Sequence, residues 1–399
     1  MANVLLLENV HPTAHEMLRA EGHTVTSATS SLPASELRAR VADIDVLGIR
    51  SKTQVAADIL AGAPHLLAVG AFCIGTNQVD LANANARGVP VFNAPFSNTR
   101  SVAELVIAEI VMLARQLGDR IREVHSGRWR KVAEGCYEVR GKTLGIVGYG
   151  HIGSQVGVLA EGMGMRVVYF DVASKLAMGN VRVCATLVEL LGEADFVTLH
   201  VPATEQTDGM IGPAQFAAMK RGSFVLNASR GNVVGIAALA AALRSHHLAG
   251  AAIDVYPDEP EGQTDAFRTE LQDLPNVILT PHIGGSTSEA QAAIGREVAT
   301  SLIKYLKHGT TSGAVNFPQL ELAPTAGTHR IVNVHKNVPG VLRDINRIVS
   351  DHNANIHSQI LGTDPQIGYL IMDLDEDVTT GVHHAMAELK TTIRARVLY

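Results

Sequence analysis

The chain has 399 residues, of which 46% are hydrophobic, 18% charged and 4% aromatic. At roughly 150 residues per domain this is globular composition for two or three domains, well away from intrinsic disorder. Lys and Arg number 33 against 39 Asp and Glu, a net charge of −6. That balance argues against broad binding to nucleic acid or an anionic membrane surface. No apolar run reaches the ~18 residues of a membrane span. The opening MANVLLLENV has no basic residue before Arg19, unlike a secretory signal. Cys73, Cys136 and Cys184 lie far apart without a CxxC pair, which points to a reducing, cytoplasmic setting and to neither a disulfide framework nor a metal site.

In chain order, residues 1–97 alternate short apolar strands (Val4–Leu7, Val46–Ile49, Leu66–Val69, Val89–Phe92) with helical spacing such as His11–Ala20. This pattern predicts an open parallel sheet. A long helix follows from about Asn98 to Gln116. It is apolar on more than one side but interrupted by Glu104, Glu109 and Arg115, as expected for a buried helix.

Residues 143–283 hold six strand candidates: Thr143–Val147, Arg166–Phe170, Ala194–Leu199, Ser223–Leu226, Ala249–Ile253 and Val277–Leu279. Most are continuously apolar, as strands covered on both faces should be. Just past their C-terminal ends stand GYGHIG, Asp171, His200, Ser229-Arg230, Asp254 and His282. Polar chemistry gathered at one edge of a parallel sheet is the pattern of a doubly wound ligand-binding domain. In Gly148-Tyr149-Gly150-His151-Ile152-Gly153 the glycines permit a tight turn and close backbone approach, and the helix that follows presents its N-terminus to a pyrophosphate. Asp171, ending the next strand, suits ribose hydroxyls and repels a 2′-phosphate, which favours NAD over NADP.

Residues 285–312 read as a helix, and Pro318, Pro324 and Gly327 mark a linker. The remainder gives strand, helix, strand, strand, helix, strand, a βαββαβ module. The expected division is therefore 1–97 with 285–327, 98–284, and 328–399.

Three further residues each have an ordinary reading when taken singly. Arg230 in NASRG would be a surface arginine in a turn, Glu259 in DVYPDEP a solvated loop glutamate, and His282 in TPHIGGST a satisfied loop histidine. Their chemistry also fits a carboxylate clamp, an orienting carboxylate and a base near neutral pH. Together with GYGHIG, Asp171 and LHVP at 199–202, in this order and spacing, these motifs resemble the D-2-hydroxyacid dehydrogenase family. The resemblance implies a flavodoxin-like substrate domain and a Rossmann NAD domain, with Arg230, Glu259 and His282 catalytic. It implies a cofactor crevice lined by Gly148, Gly150, His151, Ile152, Gly153, Asp171, His200, Ala228, Ser229, Arg230, Asp254, His282, Ile283, Gly284 and Gly285.

FNAPFSNTRSVAEL at 92–105, Trp129 with Lys131, and TSGAVNFP at 311–318 narrow the resemblance to members that oxidise 3-phospho-D-glycerate for serine synthesis. That implies substrate contacts from Arg50, Ser51, Asn98, Trp129 and Lys131, the last two reaching a neighbouring subunit of a dimer or tetramer. The C-terminal module is similar to a ferredoxin-like ACT domain, which implies L-serine as an allosteric inhibitor held by His335, Asn337 and Asn355. A 2-oxoglutarate reductase side activity belongs to the same expectation. A dehydrogenase for glycerate or glyoxylate is the alternative within the family, and a non-enzymatic NAD-sensing co-repressor the alternative outside it.

Overall fold

The computed structural model describes residues 1–260, 266–375 and 378–398. The chain forms two compact units, one of Met1–Ser97 with Gln291–Tyr399, the other of Asn98–Ala290.

In the first unit, β1 (Asn3–Leu6), β2 (Thr24–Ser27), β3 (Val46–Ile49), β4 (Ala68–Ala71) and β5 (Val91–Phe92) form a parallel sheet in the order β2-β1-β3-β4-β5. This is the flavodoxin-like order. The short β2 is polar and largely exposed, so no apolar run announces it. β4 begins two residues later than the apolar pattern suggests, because Leu66 closes a turn onto the Ala63 carbonyl. One face of the sheet packs Leu5, Leu47, Ile49 and Val69 against Leu37, Val41 and Ile59. The other packs Val4, Leu6 and Ala68 against Val298, Leu302 and Tyr305 of the helix Ser288–His308.

The C-terminal strands β13 (His329–Lys336), β14 (Ile356–Thr363), β15 (Ile367–Leu374) and β16 (Thr392–Leu398) form an antiparallel sheet, β14-β15-β13-β16. With the helices Val341–Asp351 and Thr379–Ala387 they make the ferredoxin-like βαββαβ module. Ile331, Leu370 and Met372 face these helices. On the other face, Val332, Val334, Tyr369 and Ile371 join the same core as the first parallel sheet. Polar contacts reinforce that junction. The Arg330 guanidinium forks onto Asp373 (Nε–Oδ1 2.6 Å, Nη2–Oδ2 2.8 Å) and donates to the carbonyls of His308, Leu322 and Ala323. Tyr369 donates to the Gly309 carbonyl at 2.6 Å, and Arg396 to that of Leu306 at 3.1 Å. The stretch through Pro318 is itself tied down, since Thr311 donates to the Pro318 carbonyl.

The second unit carries β6 (Thr143–Val147), β7 (Arg166–Phe170), β8 (Arg182–Val183), β9 (Phe196–Leu199), β10 (Ser223–Asn227), β11 (Leu248–Ile253) and β12 (Val277–Leu279). All are parallel, in the order β12-β11-β10-β9-β6-β7-β8. Reversal of strand order at β6 and β9 is the Rossmann switch point, where ligands bind beyond the carboxyl ends. The two-residue β8 is exposed and left no hydrophobic pattern to read. The helix Thr99–Arg115 buries Val102, Val106, Ile110 and Leu113 with Leu144 and Ile146 of β6. The next helix, Leu117–His125, has no buried residue.

Candidate active site

The glycine loop follows β6 and has the form a dinucleotide needs. Gly148 has φ 90°, and a Cβ there would collide with the His200 carbonyl of the neighbouring β9 end. A Cβ on Gly153 would collide with the Gly148 carbonyl, so helix His151–Gly162 lies tight against the loop. Gly150 differs: a Cβ there meets nothing within 4 Å. Its bareness serves open space in front of a helix N-terminus, the place for a pyrophosphate. Asp171 accepts from Tyr149 N at 2.8 Å and from Ala173 N at 2.9 Å, so its carboxylate is fixed to the glycine loop. Each of its oxygens keeps a further lone pair for a hydroxyl. His151 and Ile152 form the first turn of that helix.

Burial pushes the His200 imidazole down to about 3, so it is neutral; its Nε2 lies 3.0 Å from Thr198 Oγ1. Asn227 orders the turn after β10. Its Oδ1 accepts from Ser229 N (3.1 Å) and Oγ (2.7 Å), and its Nδ2 donates to the Arg230 carbonyl (2.9 Å). Ala228 is half-buried on this turn. A Cβ on Gly231 would collide with the Tyr256 carbonyl, and this contact brings Arg230 beside the 256–259 segment.

Glu259 accepts from Tyr256 N at 3.1 Å through Oε1, and its Oε2 lies 2.8 Å from His282 Nδ1. Burial alone would raise the Glu259 carboxyl. The His282 hydrogen bond and charge, the Tyr256 amide and the Arg230 charge outweigh it, and the group stays below the usual carboxylate range. His282 is moved the other way. The Glu259 hydrogen bond raises it, desolvation opposes, and the charges of Glu259 and Asp254 outweigh that of Arg230.

His282 sits at φ 53°, a left-handed backbone held in place by Asp254. Asp254 is 1% exposed, with Oδ1 accepting from Thr280 Oγ1 (2.6 Å) and Ile283 N (2.8 Å) and Oδ2 from Gly284 N (2.8 Å). The Tyr256 hydroxyl donates to the carbonyls of Ile253 and Thr280, joining the ends of β11 and β12. Asn98 is buried, and a Cβ on Gly285 would collide with its amide, so Asn98 abuts the 282–285 loop.

Arg50 and Ser51 follow β3 in the first unit, Arg50 half-buried and Ser51 exposed. Trp129, at 83% exposure, and Lys131 lie in the open segment after helix Leu117–His125, where Arg130 pairs with Glu123 at 2.8 Å. In the C-terminal module His335 is buried, with Nδ1 3.0 Å from Asn333 Oδ1, and burial lowers its pKa. Asn337 donates to the Asp364 carbonyl at 2.7 Å, and Asn355 N to Asp375 at 3.2 Å.

Sequence reasoning missed Thr280, Glu8 and Glu109. Thr280 stands one residue ahead of the Pro281-His282 pair, a signal that was present in TPHIGG. Glu8 and Glu109 are defined by tertiary contacts and carry no local signal. Among the described residues, Cys184, Glu189 and Glu193 are grouped closely enough for a metal, but Arg182 pairs with both carboxylates. No described helix is long and apolar enough to cross a membrane.

These features define a nicotinamide-dependent dehydrogenase on a Rossmann sheet, with a hydrogen-bonded histidine–carboxylate pair beyond its strand ends. The chain belongs to the D-isomer specific 2-hydroxyacid dehydrogenase family. The NAD-binding domain model of that family matches residues 107–284, and an AHAS small subunit-like ACT domain matches 331–394. D-3-phosphoglycerate dehydrogenase of Dictyostelium discoideum is 53% identical, with 99% of this chain and 97% of that protein covered. The enzyme of the same name from Escherichia coli (strain K12) is 50% identical, with 99% and 97% covered. Among solved structures, D-lactate dehydrogenase from Aquifex aeolicus, complexed with NAD and lactic acid, superposes with a TM-score of 0.69 at 26% identity, covering 79% of this chain and 100% of that one.

Proposed function

We propose that this enzyme oxidises 3-phospho-D-glycerate to 3-phosphooxypyruvate with NAD, the first step of L-serine synthesis. The observation that carries the chemistry is the 2.8 Å His282–Glu259 hydrogen bond, with the Arg230 charge bearing on both groups. The choice of substrate rests on the near-complete similarity to enzymes named for it.

With Nδ1–H donating to Glu259, the neutral His282 ring keeps a lone pair on Nε2, and that atom takes the proton of the substrate hydroxyl. Glu259 fixes ring and tautomer and stabilises the imidazolium that forms. Arg230 holds the C1 carboxylate by a two-pronged hydrogen bond and polarises the developing carbonyl oxygen. NAD, when bound, would supply the hydride acceptor; Gly148–Gly153 would hold its pyrophosphate and Asp171 its ribose. Arg50 and Ser51, with Asn98, meet the rest of the anionic substrate, and Trp129 and Lys131 serve the site of a neighbouring subunit. Helix Leu117–His125 buries no residue, and its apolar Ile121 and Val124 are 51% and 56% exposed, which supports a homo-oligomer. L-Serine inhibits by binding at His335, Asn337 and Asn355 between paired modules, and the wide spacing of the three cysteines fits a cytoplasmic setting.

Mixing protein, NAD and 3-phosphoglycerate at alkaline pH with product trapping gives a rise in reduced-nicotinamide absorbance that L-serine suppresses. No substrate-dependent rise refutes the reading. His282→Ala is expected to lose on the order of 10²–10⁴-fold in turnover while NAD still binds.

A further inference from the structure

Glu8 is a buried acid that the chemistry above does not use. It leaves β1 at φ 62°, followed by Asn9 at φ 53°, two consecutive non-glycine residues in the left-handed region. Such backbone persists only where the surroundings hold it. Glu8 is 8% exposed, and its carboxylate points across the sheet edge to the loop after β3. Oε1 accepts from Thr53 N at 2.8 Å and Arg50 N at 3.2 Å; Oε2 accepts from Lys52 N at 3.0 Å. From the other side Gln78, 3% exposed, donates to the Arg50 carbonyl at 2.6 Å. The loop that carries Arg50 and Ser51 is thus held by both of its backbone polar sets.

Three convergent backbone amides make a concavity that favours an anion. In this loop the anion is the protein's own. Those three amides cannot then serve substrate. We infer that Glu8 is a positioning residue for substrate: its carboxylate fills the 50–53 amide ring and thereby aims Arg50 and Ser51 at the anionic end of the hydroxy acid. The inference rests on the proposed role of Arg50 and Ser51. Glutamine at position 8 keeps the shape but replaces one acceptor oxygen with a donor that faces an amide, so the ring is broken on one side.

The test is steady-state kinetics on the full chain with Glu8→Gln and Glu8→Asp. Glu8→Gln is expected to raise the KM for 3-phosphoglycerate about tenfold or more. The KM for NAD stays within twofold, and the pH dependence of kcat is unchanged. Glu8→Asp, which restores two acceptors on a shorter arm, is expected to recover part of the loss, and it carries the test if Glu8→Gln fails to fold. In an Arg50→Ala background, Glu8→Gln should add less than about threefold. A folded Glu8→Gln protein with substrate KM within twofold of wild type overturns the inference. So does a parallel change in both KM values, or an undiminished effect in the Arg50→Ala background. Wild-type protein that turns over glycerate or glyoxylate but not 3-phosphoglycerate refutes the proposed substrate instead, and the same KM split is then read with that acid.

Discussion

His282 Nδ1 and Glu259 Oε2 stand 2.8 Å apart at the ends of two different loops, and each moves the other's protonation in the direction catalysis needs. The imidazole is held above its ordinary value of 6.5. Oxidation needs it neutral, so kcat/KM for oxidation should climb with pH through an apparent pKa above 6.5. Glu259→Gln removes the charged hydrogen-bond acceptor that raises it most and leaves the Asp254 charge alone to oppose desolvation and Arg230, which lower it. The limb should shift to lower pH and turnover should fall on the order of 10²-fold or more. An unmoved limb in a pH–rate profile counts against the pairing as its cause.

The glycine loop gives a contrast between two single methyl groups. Gly150→Ala places a Cβ in open space, so stability should change by no more than about 0.5 kcal/mol while NAD affinity falls. Gly153→Ala drives a Cβ into the Gly148 carbonyl and should cost both stability and affinity. Thermal melts with NAD titrations separate the two.

Glu109 lies on helix Thr99–Arg115 at 2% exposure, and its Oε1 has no hydrogen-bond partner. Burial, reinforced by the Asp254 charge, pushes it up to about 8. Its folded pKa is above the unfolded one, so its contribution to stability is fully present below about 4.5 and is lost as pH rises through about 8. Glu109→Gln should raise the melting temperature more at pH 9 than at pH 5, because the amide cannot ionise. Equal shifts at both pH values would mean that the carboxyl is not the protonated group described.

The Arg330–Asp373 pair is almost wholly buried, with side chains 6% and 1% exposed. Asp373→Ala leaves a guanidinium among backbone carbonyls with its charge unpaired, and removal of one partner of such a pair costs about 3–5 kcal/mol. Chemical denaturation should report that loss, and the double variant Arg330→Met/Asp373→Leu should recover much of it.

The Rossmann unit was legible because its central strands are buried on both faces, and 143–147, 166–170 and 277–279 have the boundaries that the apolar runs suggest. Asp171, Arg230 and His282 stand just past strand ends and Glu259 in the loop after β11, where the motifs put them, and the structure adds the Glu259–His282 bond. Strands β2 and β8 were not legible, since each is short, polar and exposed. Nor was the way Val332, Val334 and Tyr369 enter the core of the first parallel sheet. Alternation along β13 marks two covered faces but cannot say what covers the second. Pro318, Pro324 and Gly327 suggested a linker that the hydrogen bonds of Thr311 fasten in place. Glu8 and Asp254 act on backbone amides remote in sequence, which no local pattern records.

The first unit is split: residues 1–97 supply its parallel sheet, and the covering side chains Val298, Leu302 and Tyr305 are made only after residues 98–290. On the ribosome the inserted Rossmann unit can therefore finish folding while one face of the earlier sheet waits uncovered. Synthesis at about 5–20 residues per second makes that wait several tens of seconds at the slow end. Nascent chains halted just past residue 290 should accordingly carry a protease-resistant centre and a chaperone-seeking amino-terminal sheet.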